Sequence, residues 1–249
     1  MRLIKDICYS NYSECLLDIY LPESEKFCVF VYFHGGGLEK GDKTDVKVFA
    51  EYLVKNNVAV VSANYRMYPN AKYPEYILDS AKCVSWVFEN ISNYGKCEGI
   101  YVGGSSAGAY ISMLLCFDKT YFAQYNIMPT DIAGYIHDAG QPTVHFNVLR
   151  ERKIDSRRVI VDESAPIYHV GTETNYSKML FIVSDNDMEN RFEQTMLMQS
   201  TLKHFGFVAD VKIMHGNHCK YINKKDENEE SIFGRIIYSY INKWKKESE

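Results

Sequence analysis

A serine set between two glycines carries the most direct chemical meaning in this sequence. Gly104-Ser105-Ser106-Ala107-Gly108 has the pattern Gly-x-Ser-x-Gly. Before it, Gly99-Ile100-Tyr101-Val102 reads as a short buried strand. After it, Ala107 to Cys116 is small and then apolar, as a buried helix is. A serine on so sharp a turn has its hydroxyl thrust clear of the backbone. Its neighbours must be small, because side chains collide where the strand doubles into the helix. The helix starts beside the serine, so its free N–H groups face any negative charge formed there. Such a hydroxyl suits nucleophilic attack, provided that a base activates it. A plain glycine-rich turn carries the same letters, so the pattern needs support from elsewhere.

Further polar residues stand at other strand ends. Phe27 to Phe33 is apolar throughout and runs straight into His34-Gly35-Gly36-Gly37. The seven histidines are His34, His137, His145, His169, His204, His215 and His218. Only His215 and His218 are close enough in sequence to suggest a ligand pair, so no metal site is expected. No phosphate-cradling motif is present, and no cofactor is implied.

These groups need a scaffold, and the apolar pattern supplies one. Strands are predicted over 14–21, 27–33, 58–62, 99–103, 132–137, 178–183 and 208–214. Helices are predicted over 45–55, from Pro74 to about Ile91, over 107–116, 191–205 and 231–246, with Gly206 closing the fourth. Ile77, Ala81, Val84, Phe88 and Ile91 form one helical face. Runs such as 27–33 and 58–62 suit strands buried on both faces of a parallel sheet. Strands alternating with helices predict an α/β protein with a mainly parallel sheet and helices on both faces. Residues 1–249 read as a single domain. Periodicity fades over 139–170, which reads as an inserted cap, with Phe146 to Arg152 as its one helical stretch.

Composition narrows the function classes. A net charge of −4 gives no sign of a nucleic-acid partner. No apolar run nears the ~20 residues that span a bilayer, so no membrane partner is expected. The seven cysteines are odd in number and lack a Cys-x-x-Cys pair, which suits reduced thiols. The N-terminus has no apolar signal-peptide core, so a cytoplasmic protein is expected. A homo-oligomer stays open.

The two glycine motifs, in this order, resemble the α/β-hydrolase fold. Within it they resemble the esterase/lipase group that carries His-Gly-Gly-Gly, the hormone-sensitive-lipase-like and carboxylesterase-type enzymes. The likeness extends to Asp18-Ile19-Tyr20-Leu21-Pro22, to Asn64-Tyr65-Arg66 with Tyr73-Pro74 and Asp79, and to Ala165-Pro166-Ile167-Tyr168-His169. Many members have Asp before the nucleophile, where this chain has Ser105.

The resemblance implies roles. Ser106 is the nucleophile. The base follows the last strand, in Met214-His215-Gly216-Asn217-His218-Cys219; the group's Gly-x-His pattern favours His218 over His215. The acid follows strand 178–183, where Asp187 is favoured over Asp185, with Asp138 a distant third. Backbone N–H groups of Gly35, Gly36 and Ala107 form the oxyanion hole, and His34 braces the first glycine loop. Gln141, His145, Phe146 and Tyr168 are candidate pocket residues. The expected activity is hydrolysis of short-chain acyl esters of sugars or small alcohols through an acyl-enzyme. An amide hydrolase of the same fold (an arylformamidase or a peptidase) and a ligand-binding protein without catalysis are the alternatives.

Overall fold

The computed structural model describes residues 1–247. The apolar runs become the middle of one eight-stranded sheet. Its strands are β1 (Arg2–Cys8), β2 (Leu16–Leu21), β3 (Lys26–Phe33), β4 (Val58–Ala63), β5 (Lys96–Ser105), β6 (Gly134–Asp138), β7 (Lys178–Asn186) and β8 (Asp210–Asn217). They lie in the order β1-β2-β4-β3-β5-β6-β7-β8. β1 and β2 join antiparallel, and every pairing from β4 through to β8 is parallel.

Alternation along β3 shows how the sheet feeds two cores. Val29, Val31 and Phe33 face one apolar cluster; Phe30 and Tyr32 face the other. The first cluster is covered by α2 (Glu75–Asn90), α3 (Ala107–Phe117) and α5 (Arg191–His204). The second is covered by α1 (Lys47–Lys55) and α6 (Ile232–Lys246). Both faces of the parallel strands are therefore dry, which explains their unbroken apolar character.

The structure departs from the sequence reading at the margins. β1 was not anticipated; it is a largely exposed edge strand of mixed polarity. β8 begins at Asp210 rather than Val208, which is 90% exposed, and it runs on to Asn217. β8 is the opposite edge and is also poorly covered. Pro74 precedes α2 rather than forming its first residue. In the segment 139–170, α4 (Phe146–Glu151) and a short 3-10 turn (Pro166–His169) are the only helical pieces. Val144, Val148, Leu149, Ala165 and Ile167 pack into the first cluster, so the segment is folded down onto the core. Among the described residues no helix is long and apolar enough to cross a membrane.

Candidate active site

In an open parallel sheet, functional groups collect where the strands end. β3 ends at the glycine loop, β5 at Ser106, β6 at Asp138, β7 at Asp187 and β8 at His218.

Ser106 sits between β5 and α3 with φ 55° and ψ −113°, a left-handed conformation that a side-chain-bearing residue holds only under constraint. Its N–H donates to Asp138 O at 2.7 Å, which ties the turn to the neighbouring strand. The flanking glycines are there because the turn presses against the end of β3. A Cβ on Gly108 would lie 1.9 Å from Phe33 O, and one on Gly104 would lie 2.6 Å from the same oxygen.

The hydroxyl meets an imidazole. Ser106 Oγ lies 2.9 Å from His218 Nε2, and His218 Nδ1 lies 2.5 Å from Asp187 Oδ1. Asp187 is fully buried as a side chain. Burial opposes its ionisation, but the bond and charge of His218, with the N–H groups of Met188 and Ser184, outweigh burial and hold its pKa below the usual carboxylate range. An ionised carboxylate only accepts, so Nδ1 carries the proton and Nε2 is left to accept from the serine. The tautomer needed for a general base follows from the acid.

The competing residues pair with one another. His215 Nδ1 lies 2.6 Å from Asp185 Oδ2, and the N–H of Gly216 donates to Asp185 Oδ1 at 2.9 Å. His215 is 96% exposed, on the open side of β8. Asp138 also stands apart from His218's ring nitrogens. It accepts from Ser105 Oγ at 2.5 Å and from the Tyr221 hydroxyl, with the Cys219 thiol at 3.8 Å. Burial pushes its pKa up to about 6, against those hydrogen bonds and the charge of His218, which pull it down. Asp138 thus joins the nucleophile turn to the chain just after His218.

The glycine loop closes the other side. A Cβ on Gly35 would touch Ser106 Cβ at 3.2 Å, so this backbone lies directly against the serine. Gly36 adopts φ +110°, where a side chain would also strike Lys40 O at 1.9 Å. Among the described residues the N–H groups of Gly35 and Gly36 have no acceptor, and Ala107 N–H, at the first turn of α3, has none within the helix. His34 donates from Nδ1 to Gly35 O at 2.7 Å and stacks on Tyr65 at 4.6 Å. Burial keeps this ring neutral by lowering its pKa. Tyr65 O–H in turn donates to His34 O at 2.8 Å, and Arg66 forks onto both oxygens of Asp79 at 2.8 Å. The Asn64-Tyr65-Arg66 stretch therefore braces the loop.

The cleft over Ser106 has a volume of about 810 Å³. Of the candidate pocket residues, Phe146 lines it. Gln141 lines an adjoining cavity instead. His145 is fully buried beneath, stacked on Phe146 and capping α4 through the Asn147 N–H. Tyr168 is 56% exposed and does not line the cleft. Gln141, His145 and Tyr168 therefore stand outside the cleft wall, because residues 139–170 lack a period from which facing could be read. Residues that sequence reasoning missed include Asn147, Met188, Cys219 and Ile222. Asn147 donates from Nδ2 to Gly37 O and pins the end of the glycine loop. Among the described residues no cluster of three or more His, Cys, Asp or Glu could hold a metal.

A model of the BD-FAE family matches residues 17–152, more than half of the chain, including the glycine loop and Ser106. The chain belongs to the BD-FAE family. The match stops short of Asp187 and His218, so in this BD-FAE member those two rest on geometry. Curated relatives include carboxylesterase NlhH of Mycobacterium tuberculosis, 33% identical over 115 residues, covering 45% of this chain and 36% of that protein. Kynurenine formamidase of Danio rerio is 29% identical over 130 residues, covering 51% and 43%. The chain thus aligns with less than half the length of these relatives. Among solved structures, esterase B from Lactobacillus Rhamnosis (HN001) superposes with a TM-score of 0.80 at 13% identity, over 99% of this chain and 87% of that one. A carbohydrate esterase from gut microbiota superposes with a TM-score of 0.79 at 15% identity, over 99% and 97%. These likenesses show the α/β-hydrolase fold for the BD-FAE chain.

Proposed function

We propose that this protein is a serine carboxylic-ester hydrolase that cleaves short acyl esters through an acyl-enzyme. One observation carries the reading: Asp187, His218 and Ser106 form an unbroken hydrogen-bonded relay whose serine faces the glycine-loop backbone. Ser106 Oγ attacks the ester carbonyl as His218 Nε2 takes its proton. The oxyanion accepts from the N–H groups of Gly35, Gly36 and Ala107, each worth about 3 kcal/mol in such sites. The intermediate collapses, and His218 gives its proton to the departing alkoxide. Water then attacks the acyl-serine by the same route, with His218 again as base, and releases the acid. Residues 139–170 act as the cap that limits substrate size, with Phe146 and Asn147 at the cleft.

The test is a panel of 4-nitrophenyl esters from acetate to octanoate, run with wild type and Ser106→Ala, beside fluorophosphonate labelling. Turnover highest for the shorter acyl groups and labelling at Ser106 support the reading. N-formylkynurenine and a peptide anilide belong in the same panel. Faster cleavage of either would favour an amide hydrolase, and absence of both label and turnover would favour a binding protein.

A further inference from the structure

A second cavity of about 270 Å³ adjoins the cleft. The two share Phe146 and Met188 in their walls. Arg150, Arg157, Arg158 and Arg191 line the smaller one, with Glu189 the one acidic residue among the described residues of its wall. The pairing of these cations is uneven. Arg157 is held by Asp155 at 2.6 Å. Arg150 donates to the neutral Asn147 Oδ1 at 2.9 Å and lies over the Phe146 ring at 5.2 Å. Arg158 makes no side-chain hydrogen bond or close ion pair among the described residues, and its charge acts only at longer range on Asp155, which Arg157 already holds.

Arg191 is the most telling. It is 3% exposed, yet among the described residues its guanidinium donates only to neutral oxygens, Ala139 O at 2.5 Å and Gln141 Oε1 at 3.4 Å. A buried cation without a carboxylate is expensive to keep. Burial pushes its pKa down to about 10, and the carboxylate whose charge opposes that shift, Asp187, is committed to His218. Arg191 also opens the 14-residue helix α5, whose Asn190 offers no side-chain cap, so the helix end adds positive potential to the same wall. Guanidinium forks match the planar geometry of a carboxylate.

We propose that this cavity is a subsite for a carboxylate carried by the substrate, so that the preferred esters are anionic. The ester carbonyl lies at Ser106, and the substrate's own carboxylate reaches past Phe146 and Met188 to Arg191, Arg150 and Arg158. This rests on the ester-hydrolase reading and adds a substrate class to it. The chemistry at Ser106 is unchanged.

The experiment uses the intact chain and two matched pairs of substrates. 4-Nitrophenyl butyrate against 4-nitrophenyl hemisuccinate puts the carboxylate on the acyl side. Phenyl acetate against 3-acetoxybenzoate puts it on the alcohol side. In at least one pair, kcat/KM for the anionic member is expected to exceed its partner by about tenfold at low salt, and the excess shrinks as salt rises. Arg158→Gln and Arg150→Gln each lower that anionic-to-neutral ratio several-fold, whereas Arg235→Gln, a change in α6, leaves the ratio where it was. Neutral esters turned over as fast as anionic ones in both pairs would overturn the subsite while leaving the ester reading intact. So would a ratio that ignores Arg158 and Arg150. No turnover of any ester, with no label on Ser106, overturns both.

Discussion

His218 Nε2 lies 2.9 Å from Ser106 Oγ although 112 positions of chain separate them. Only the sheet brings them together, through the ends of β5 and β8. Replacing Ser106 with alanine removes the attacking atom without disturbing the turn, whose constraint is in the backbone. Ester turnover is expected to fall by about 10⁴-fold or more, with Tm within a few degrees of wild type. Steady-state kinetics and thermal melts check this; retention of a tenth of the activity would exclude Ser106 as nucleophile.

The two aspartate–histidine pairs offer an internal control. Asp187→Asn leaves His218 free to take the wrong tautomer and is expected to lower kcat by about 10⁴-fold. Asp185→Asn breaks only the exposed pair with His215 and is expected to change kcat/KM by less than about twofold. Parallel kinetics on the two variants decide the matter, and equal losses would refute the assignment.

Gly108 tests the crowding behind the turn. Gly108→Ala drives a methyl into Phe33 O and is expected to cost more than about 4 kcal/mol, a Tm loss of roughly 10 °C or failure to fold. Gly206→Ala meets open space and pays only for φ +82°, about 1–2 kcal/mol. Calorimetry on both variants compares packing with backbone strain.

Asp138 gives a pH signature. Burial pushes its carboxyl up to about 6 in the folded state, above its ordinary 3.8, so between these values the folded state holds the extra proton. Its contribution to stability is therefore present below the unfolded pKa and is lost as pH rises through about 6. Asp138→Asn cannot ionise. Relative to this variant, wild type is expected to lose on the order of 3 kcal/mol from pH 4 to pH 7. Denaturant melts across that range measure the gap; a gap that does not move with pH would contradict the buried titration.

Much of the fold was legible because its central strands are buried on both faces. The runs at 27–33, 58–62 and 178–183 are polar only at their ends, at Ser62 and Lys178, and each became a parallel strand. β1 escaped notice because Arg2, Lys5 and Asp6 break any alternation on an exposed edge. At the site, the resemblance favoured Asp187 over Asp185 and Asp138 as the acid, but the residues themselves did not show which of the three faces His218. That depends on a shift in the β7–β8 register between Ser184 and Asn186, which no residue pattern announces. Arg191 gave no signal either, since an arginine opening a helix is ordinary until its burial is known.

His218 hangs from a poorly covered edge strand of the sheet. Ile213 in β8 is 47% exposed, whereas the interior of β7 beside it is closed off from water. Fraying at this margin would carry His218 away while the inner strands stay zipped, so gentle warming would silence turnover before the molecule melts. A tight-binding inhibitor bridging the serine and the imidazole would then act as a splint, slowing hydrogen exchange along β8 more than anywhere else.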